Sequence, residues 1–235
     1  HLWAGQYEKA HEFFSQALVL QKAGEDAAGQ AGMLQALCRA EQARGRLTAA
    51  RDHIEAAIKI IESLRSRIEG PGLRASYFSL KRDYYWHYID VLMQLHQRDP
   101  SGGFERIAFE ASEQARARTL LEYLHNDAPT SAPRTLREVQ QQLLDDDTLL
   151  LEYWMSPVRS YLWAVTTDTI RGFELPGRDR LLAAFLEFRA ILADRQGWDS
   201  GAGRFGRYQK LAADLSRQLL GPAGALLRNK KKLVI

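Results

Sequence analysis

The feature that most constrains this chain is a segment that returns twice with the same small residues. It reads GQYEKAHEFFSQALVL at residues 5–20, GRLTAARDHIEAAIKI at 45–60 and GFERIAFEASEQARAR at 103–118. Each copy begins with glycine and has alanine at its sixth and thirteenth positions. Residues seven apart share one helical face, and small side chains there let a neighbouring backbone approach closely. The repetition therefore predicts stacked helices, each entered through a tight glycine turn.

Large apolar residues accompany the alanines in the first two copies. We expect them to fill the grooves between helices; they are Phe14, Leu18 and Leu20 in the first copy and Ile54, Ile58 and Ile60 in the second. An ordinary amphipathic helix with two alanines is the alternative interpretation, but three copies in register favour a repeat. The pattern resembles the second helix of a tetratricopeptide (TPR) repeat.

Apolar periodicity predicts that the first half of the chain is entirely helical. The expected helices cover residues 5–22, 28–43, 46–68, 73–98 and 104–125. Cys38 takes a small-residue position of the TPR pattern, which indicates a packing residue rather than a nucleophile. Glu41 stands where that pattern usually has an aromatic residue. The aromatic side chains of the long fourth helix either line a groove for a peptide or fill the core.

The character of the sequence changes after NDAPTSAPR at residues 126–134, which reads as a linker because of its prolines and small polar residues. We expect a short helix at 135–144, three strands at 148–154, 160–166 and 169–175, helices at 178–195 and 207–220, and a strand at 232–235. The turns between the three strands are short, so neighbouring strands should be antiparallel. Helices followed by mixed strands and helices predict two domains.

Composition and motifs exclude several classes of function. Apolar residues make up 46% of the chain and charged residues 26%, as in a soluble globular protein. The net charge of +3 is too small to indicate nucleic-acid binding, and no apolar run approaches the roughly 18 residues of a membrane span. Cys38 is the only cysteine. A disulfide framework and a thiolate zinc site are therefore excluded, and no cofactor or metal is expected.

Three further motifs have simpler interpretations than ligand binding. Gly201–Gly206 fits GxGxxG, but the expected helix before it is the wrong context for a dinucleotide site, which needs a preceding strand. We therefore interpret the glycine-rich residues 197–206 as a flexible loop. Asp145–Asp147 reads as a solvated turn, and Lys230–Lys232 as an exposed connection.

The order of these segments resembles the CHAT family, in which a caspase-like cysteine peptidase domain follows TPR repeats. The resemblance rests on ASEQARARTLLEYL (111–124), TLREVQQQLLDDDTLLLEYW (135–154) and SYLWAVTTDTIRGFELP (160–176), and LLGPAGALLRNKKKLVI (219–235) looks like the approach to that family's central strand. It implies TPR-like repeats at 1–125, a linker at 126–134, and the N-terminal part of a caspase-like α/β domain at 135–235. The fold class is then a helical hairpin array followed by a partial α/β domain.

The resemblance assigns no catalytic residue to this chain. It places the family's histidine and cysteine beyond Ile235, and a cysteine peptidase needs a thiolate beside a histidine base. The chain begins inside an incomplete repeat and ends on an apolar strand, so we interpret it as a piece of a longer protein. A cytoplasmic location is expected, since no secretory signal is visible.

The leading hypothesis from sequence is a protein–protein interaction module, because stacked TPR helices form a curved surface that binds a peptide. Its partners would be a protein or peptide ligand in the TPR groove and the remainder of the CHAT domain. Periodicity selects six inner-face candidates: Gln35, Arg39, Gln42, Asp83, His87 and Asp90. The alternatives are part of a caspase-like peptidase whose catalytic residues lie beyond Ile235 or on another chain, and a scaffold with a degenerate peptidase domain.

Overall fold

The computed structural model describes residues 6–68, 71–123, 134–193 and 202–235, with the side chains of 71–81, 117–123 and 202–204 left aside. The chain divides between Leu136 and Arg137 into two compact units. It is mostly helical, with a small four-stranded mixed sheet in the second unit. The coarse prediction of a helical array followed by a mixed α/β part is therefore confirmed. The predicted linker lies outside the described residues except for Arg134.

Five helices build the first unit. They are α1 (Tyr7–Ala23), α2 (Ala27–Ala43), α3 (Leu47–Ser66), α4 (Pro71–Arg98) and α5 (Phe104–Tyr123). Each helix packs against the next one in the chain, and α2 also contacts α4. The short connections between α1, α2 and α3 make these consecutive helices antiparallel. Two hydrogen bonds that each join residues 48 apart show that α2 and α4 run in the same direction.

The repeated small residues lie where the helices approach each other. Five of the six alanines are buried, namely Ala10, Ala50, Ala57, Ala108 and Ala115. Gly45 and Gly103 have φ angles of 75° and 71°, a left-handed conformation that favours glycine in a tight turn. Gly5 lies outside the described residues. One part of the expectation is wrong, because Leu20 is 73% exposed rather than packed in a groove.

Cys38 belongs to the apolar core of the first unit. Its side chain is fully buried in a cluster with Leu34, Ile54 and Ala57. Burial is the main cause that raises the pKa of the Cys38 thiol to about 12. A thiol in this environment stays protonated and is a poor nucleophile, which agrees with the packing role predicted for it.

The aromatic side chains of α4 serve the core more than an open groove. Tyr84 and Tyr85 are buried. The Tyr85 hydroxyl donates a hydrogen bond of 3.0 Å to Glu62 Oε1 of α3, and the Tyr88 hydroxyl donates one of 3.1 Å to Glu55 Oε1. These contacts favour the core-filling interpretation for this part of α4. Tyr77 and Phe78 carry side chains outside the described set.

The second unit is built on a four-stranded sheet in the order β3-β2-β1-β4. The strands are β1 (Thr148–Trp154), β2 (Arg159–Val165), β3 (Ile170–Pro176) and β4 (Lys232–Val234). β2 pairs antiparallel with both β1 and β3, as predicted, and β4 pairs parallel with β1. The helices are α6 (Leu136–Gln142), α7 (Arg178–Ala193), α8 (Ala202–Leu219) and α9 (Gly224–Leu227), with a 3-10 turn at Gly221–Ala223. Leu149, Leu151, Leu162, Ala164 and Leu175 form its buried core with Ala223.

One interpretation from sequence is wrong in the second unit, and the two charged runs gain a contact that the sequence did not predict. The predicted glycine-rich loop is wrong for residues 202–206, which form the first turn of α8; residues 197–201 lie outside the described set. The acidic and basic runs pair with each other, since Lys231 Nζ lies 2.9 Å from Asp147 Oδ2 and Lys232 Nζ lies 2.6 Å from Asp145 Oδ2. The hydrogen bond from Lys232 is the main cause that lowers the pKa of Asp145 to about 2. Both pairs lie at the start of the short parallel β1–β4 ladder.

Candidate functional site

The six candidates chosen from sequence lie together on two neighbouring helices. Gln35, Arg39 and Gln42 follow one another on α2 at spacings of four and three residues, and Asp83, His87 and Asp90 do so on α4. Because α2 and α4 run in the same direction and touch, the two rows can lie side by side. We call these six residues the α2–α4 polar strip.

Two hydrogen bonds fix the register of the strip. Gln35 Nε2 donates to Asp83 Oδ2 at 2.8 Å, and Gln42 Nε2 donates to Asp90 Oδ2 at 2.6 Å. Both bonds join residues 48 positions apart in the sequence. The end residues of one row therefore match the end residues of the other. Hydrogen bonds to a carboxylate are stronger than neutral ones, and these two hold the helices in one alignment.

Arg39 and His87 occupy the middle of the strip. Arg39 is exposed and makes no hydrogen bond or ion pair with any described residue. His87 is half-buried, and burial is the main cause that lowers its pKa, with the positive charge of Arg39 acting in the same direction. Asp83 and Asp90 oppose that shift without cancelling it. At neutral pH the strip therefore combines an available guanidinium, a neutral imidazole and two carboxylates.

The strip offers hydrogen-bonding groups of both kinds to a ligand. Asp83 Oδ1 is buried and has no hydrogen-bond partner within the described residues, so one acceptor remains unsatisfied. Arg39 supplies donors and no acceptor. An extended peptide carries alternating N–H and C=O groups, which require an acceptor and a donor respectively. The strip is suited to binding a polar main chain, and none of its six residues is a serine, threonine or cysteine.

Sequence reasoning missed two polar groups of the first unit. Gln94 donates through Nε2 to Asp90 Oδ2 at 2.9 Å, and its position four residues after Asp90 could have indicated this contact. Glu41 is buried, where it accepts from Arg44 at 2.6 Å and lies 3.0 Å from His11 Nε2. A carboxylate with these partners replaces the aromatic residue expected at that position. No signal within α2 alone identifies its partner on α1.

An open cleft of about 550 Å³ occurs in the second unit where β2 and β3 meet the start of α7. Its charged side chains are Arg159, Glu174, Asp179 and Arg180. Cations and carboxylates balance there, and the lining contains no serine, cysteine or histidine. The lining therefore offers no hydroxyl, thiol or imidazole nucleophile, and the α2–α4 polar strip remains the better candidate site.

Two half-buried histidines should make the stability of the first unit depend on pH. Burial is the main cause that lowers the pKa values of His53 and His87 below their ordinary value of 6.5. Below that pH these two histidines bind protons more readily in the unfolded chain than in the folded one. The stability that these histidines contribute is fully present above about pH 6.5 and is lost as the pH falls through their folded-state pKa values.

We expect urea denaturation midpoints of the first unit to fall between pH 7 and pH 5.5. Replacing both histidines by asparagine (His53→Asn, His87→Asn) should flatten this dependence. His96, for comparison, lies half-buried 3.5 Å from Glu105, and His96→Asn serves as the matched control that keeps the dependence. A wild-type midpoint that stays constant or rises on acidification would contradict the lowered pKa values of His53 and His87.

Comparisons with known proteins identify no relative of this chain. No protein-family model matches the chain, and no curated protein and no solved structure is significantly similar to it. Within the described ranges, no cluster of three or more His, Cys, Asp or Glu side chains could hold a metal ion. The helices in the same ranges include none with the length and apolarity needed to span a bilayer.

Proposed function

We propose that residues 1–125 act as a TPR-like protein-interaction module and that the α2–α4 polar strip binds a peptide segment of a partner. The strip carries this proposal, because two helices present six polar side chains in matched register, among them a guanidinium and a buried acceptor that have no partner among the described residues. The left-handed glycines before α3 and α5 and the buried alanines of the repeat support the TPR-like assignment.

The chemistry of the strip suggests what the ligand must supply. One cation faces two carboxylates whose Oδ2 atoms already accept amide hydrogen bonds. The remaining Asp83 Oδ1 needs a donor, and Arg39 needs an acceptor. A segment with an exposed main-chain N–H and a carbonyl or carboxylate nearby would satisfy both. Groove-binding peptides are recognised in this way, with the main chain giving affinity and side chains giving specificity.

For residues 135–235 we propose the early part of a caspase-like domain of the CHAT family. The mixed sheet, with antiparallel β1–β3 and a parallel β4, is compatible with this proposal. In that role the unit carries no catalysis of its own, since the sole cysteine of the chain is the buried Cys38 of the first unit. Partner binding by the helical module would then position or release a peptidase.

The alternative proposal is a working caspase-like peptidase whose histidine and cysteine lie beyond Ile235 or on another chain. Extending the gene sequence past Ile235 separates the two proposals. A strand followed by His-Gly, and a later strand followed by Cys, would favour the peptidase. A peptidase assay on the full-length protein, with that cysteine changed to alanine as control, would then distinguish an active enzyme from a degenerate domain.

The interaction proposal is tested by selecting peptides from a random displayed library against the full chain and measuring their binding by fluorescence anisotropy. We expect Arg39→Glu to weaken binding of the selected peptides about tenfold, because one charge-assisted contact contributes about 1.4 kcal/mol. Arg39 makes no hydrogen bond or ion pair with the described residues, so its replacement should leave the fold intact.

Lys59→Glu is the matched control, because Lys59 is an exposed cation on α3, the helix that packs against α2. This variant makes the same change of charge away from the strip and should bind the peptides as the wild type does. Equal binding by wild type and Arg39→Glu, or an equal loss in both variants, would contradict a binding site at the strip.

A further inference from the structure

An exposed apolar surface covers one side of α7. Leu182, Phe185, Leu186 and Leu192 are each more than 40% exposed, although they follow the spacing with which an amphipathic helix usually packs into a core. Leu181 and Ile191, at one edge of this surface, are buried. The apolar surface of α7 is therefore wider than the part of it that is covered in the described part of the chain.

Aromatic contacts extend this surface onto α8. Phe188 of α7 stacks on Tyr208 of α8 with ring centroids 5.3 Å apart, and Tyr208 stacks on Phe205 at 6.4 Å. Phe205 is 54% exposed. The α7–α8 face is hence defined by Leu182, Phe185, Leu186, Leu192 and Phe205. Contiguous exposed apolar surface of this kind marks an interaction site.

A single unpaired charge lies within the α7–α8 face. Arg189 follows Phe185 by four residues and Leu182 by seven, which places it on the exposed apolar stripe. It is exposed and makes no ion pair or hydrogen bond with the described residues. The carboxylates on these two helices are engaged elsewhere: Glu187 pairs with Arg207, Asp214 with Arg217, and Asp179 with Arg178. A partner that covers this face would therefore have to supply the counter-charge for Arg189.

We propose that the α7–α8 face binds an amphipathic helix of a partner protein that carries a carboxylate in the middle of its apolar stripe. Leucine and phenylalanine anchors at spacings of three and four residues suit a helix packed against a helix. The partner's carboxylate would accept a charge-assisted hydrogen bond from Arg189. This partner is distinct from the peptide proposed for the α2–α4 polar strip.

The position of Arg189 argues against two other occupants. A second copy of the chain would bring another Arg189 into a symmetric interface without a free carboxylate, because Glu187 already pairs with Arg207. A membrane surface favours cations on the polar face of a bound helix, with leucine and phenylalanine on the other. Arg189 instead lies within the apolar stripe, where lipid would have to accommodate its charge.

The test uses two synthetic helical peptides of about 20 residues, long enough to form helix in water. Both carry leucine at the spacing of an apolar stripe, and they differ only in a glutamate or a lysine at its centre. Fluorescence anisotropy with the full chain should show the glutamate peptide binding at least about tenfold more tightly. Arg189→Glu should reverse this preference, and Phe185→Asp should abolish binding of both peptides.

Arg180→Glu is the matched control, since Arg180 is exposed on α7 but precedes Leu182 by two residues and so lies off the stripe. This variant should keep the preference for glutamate, and far-UV circular dichroism confirms that each variant is folded. The proposal is overturned if neither peptide binds, if both bind equally, or if Arg189→Glu leaves the preference unchanged. Self-association in sedimentation velocity, or flotation with anionic phosphatidylserine vesicles, overturns it if Phe185→Asp abolishes that behaviour.

Discussion

Leu162→Ala should lower the free energy of unfolding of the second unit by about 2–5 kcal/mol, the range for truncating a buried leucine. Leu162 is fully buried on the central strand β2, in one cluster with Leu149, Leu151 and Leu175. Strands on both sides hold β2 in place, so the space left by the truncation cannot readily close. Hydrogen exchange of the β1–β3 amides, measured as a function of urea, reports this unit separately from the helical one.

Val158→Ala is the matched control for that experiment. Val158 is 80% exposed in the turn before β2, so its truncation should change stability by no more than about 0.5 kcal/mol. A loss below about 1 kcal/mol for Leu162→Ala would contradict the central position of this residue in the core. So would a loss of similar size for the two variants.

Gly177→Ala should be nearly as damaging, although it adds a single methyl group. A Cβ atom at this position would lie 2.6 Å from the Val158 carbonyl oxygen and closer still to that of Pro157. Both obstacles are backbone, which cannot rotate away as a side chain can. The Arg178 N–H donates a hydrogen bond of 2.8 Å to the Ser156 carbonyl, and this bond keeps the two backbone segments close together. We expect a loss of about 3 kcal/mol, the upper end for overpacking, in the same exchange experiment.

Gly206→Ala should have the opposite effect. Gly206 lies inside α8, and a Cβ atom there would meet nothing within 4 Å. Alanine is favoured over glycine in a helix interior by about 1 kcal/mol, so this variant should be slightly more stable than the wild type. Destabilisation by Gly206→Ala would argue against the helix at this position, and full tolerance of Gly177→Ala would argue against the close approach.

Local sequence signals were sufficient for the strands of the second unit. The predicted bounds of β1, β2 and β3 agree with the structure to within one residue. Each strand is a run of β-branched, aromatic or aliphatic residues between turn residues, and each pairs with its neighbour in the chain. Information about such a hairpin lies within a few residues of the turn, which is why periodicity and turn chemistry recover it.

The start of α8 could not be recovered in this way. Its glycines lower helix propensity by up to about 1 kcal/mol each, which favoured a loop. Phe205 and Tyr208, three residues apart, continue the apolar stripe of the helix and contact each other. Tyr208 also stacks on Phe188, twenty residues earlier, and this contact supports the start of α8. The local glycine pattern contains no information about such a distant contact.

Helical periodicity predicted that Gln35 and Gln42 share one face of their helix and that Asp83 and Asp90 share one face of theirs, but it did not predict the bonds between them. The pairing of each amide with a carboxylate depends on how α2 settles against α4, and it connects residues 48 apart, whereas the first two repeat copies are offset by 40. Arg189 likewise stands out only once the structure shows which face of α7 stays uncovered.

The two amide–carboxylate bonds between α2 and α4 restrict how the sequences of these helices can change in evolution. An insertion or deletion of one residue between Asp83 and Asp90 would rotate one carboxylate about 100° around the helix relative to the other. Only one of the two amides could then keep its acceptor, and the same holds between Gln35 and Gln42. Natural variation should therefore exchange side chains within these two stretches while leaving their lengths unchanged.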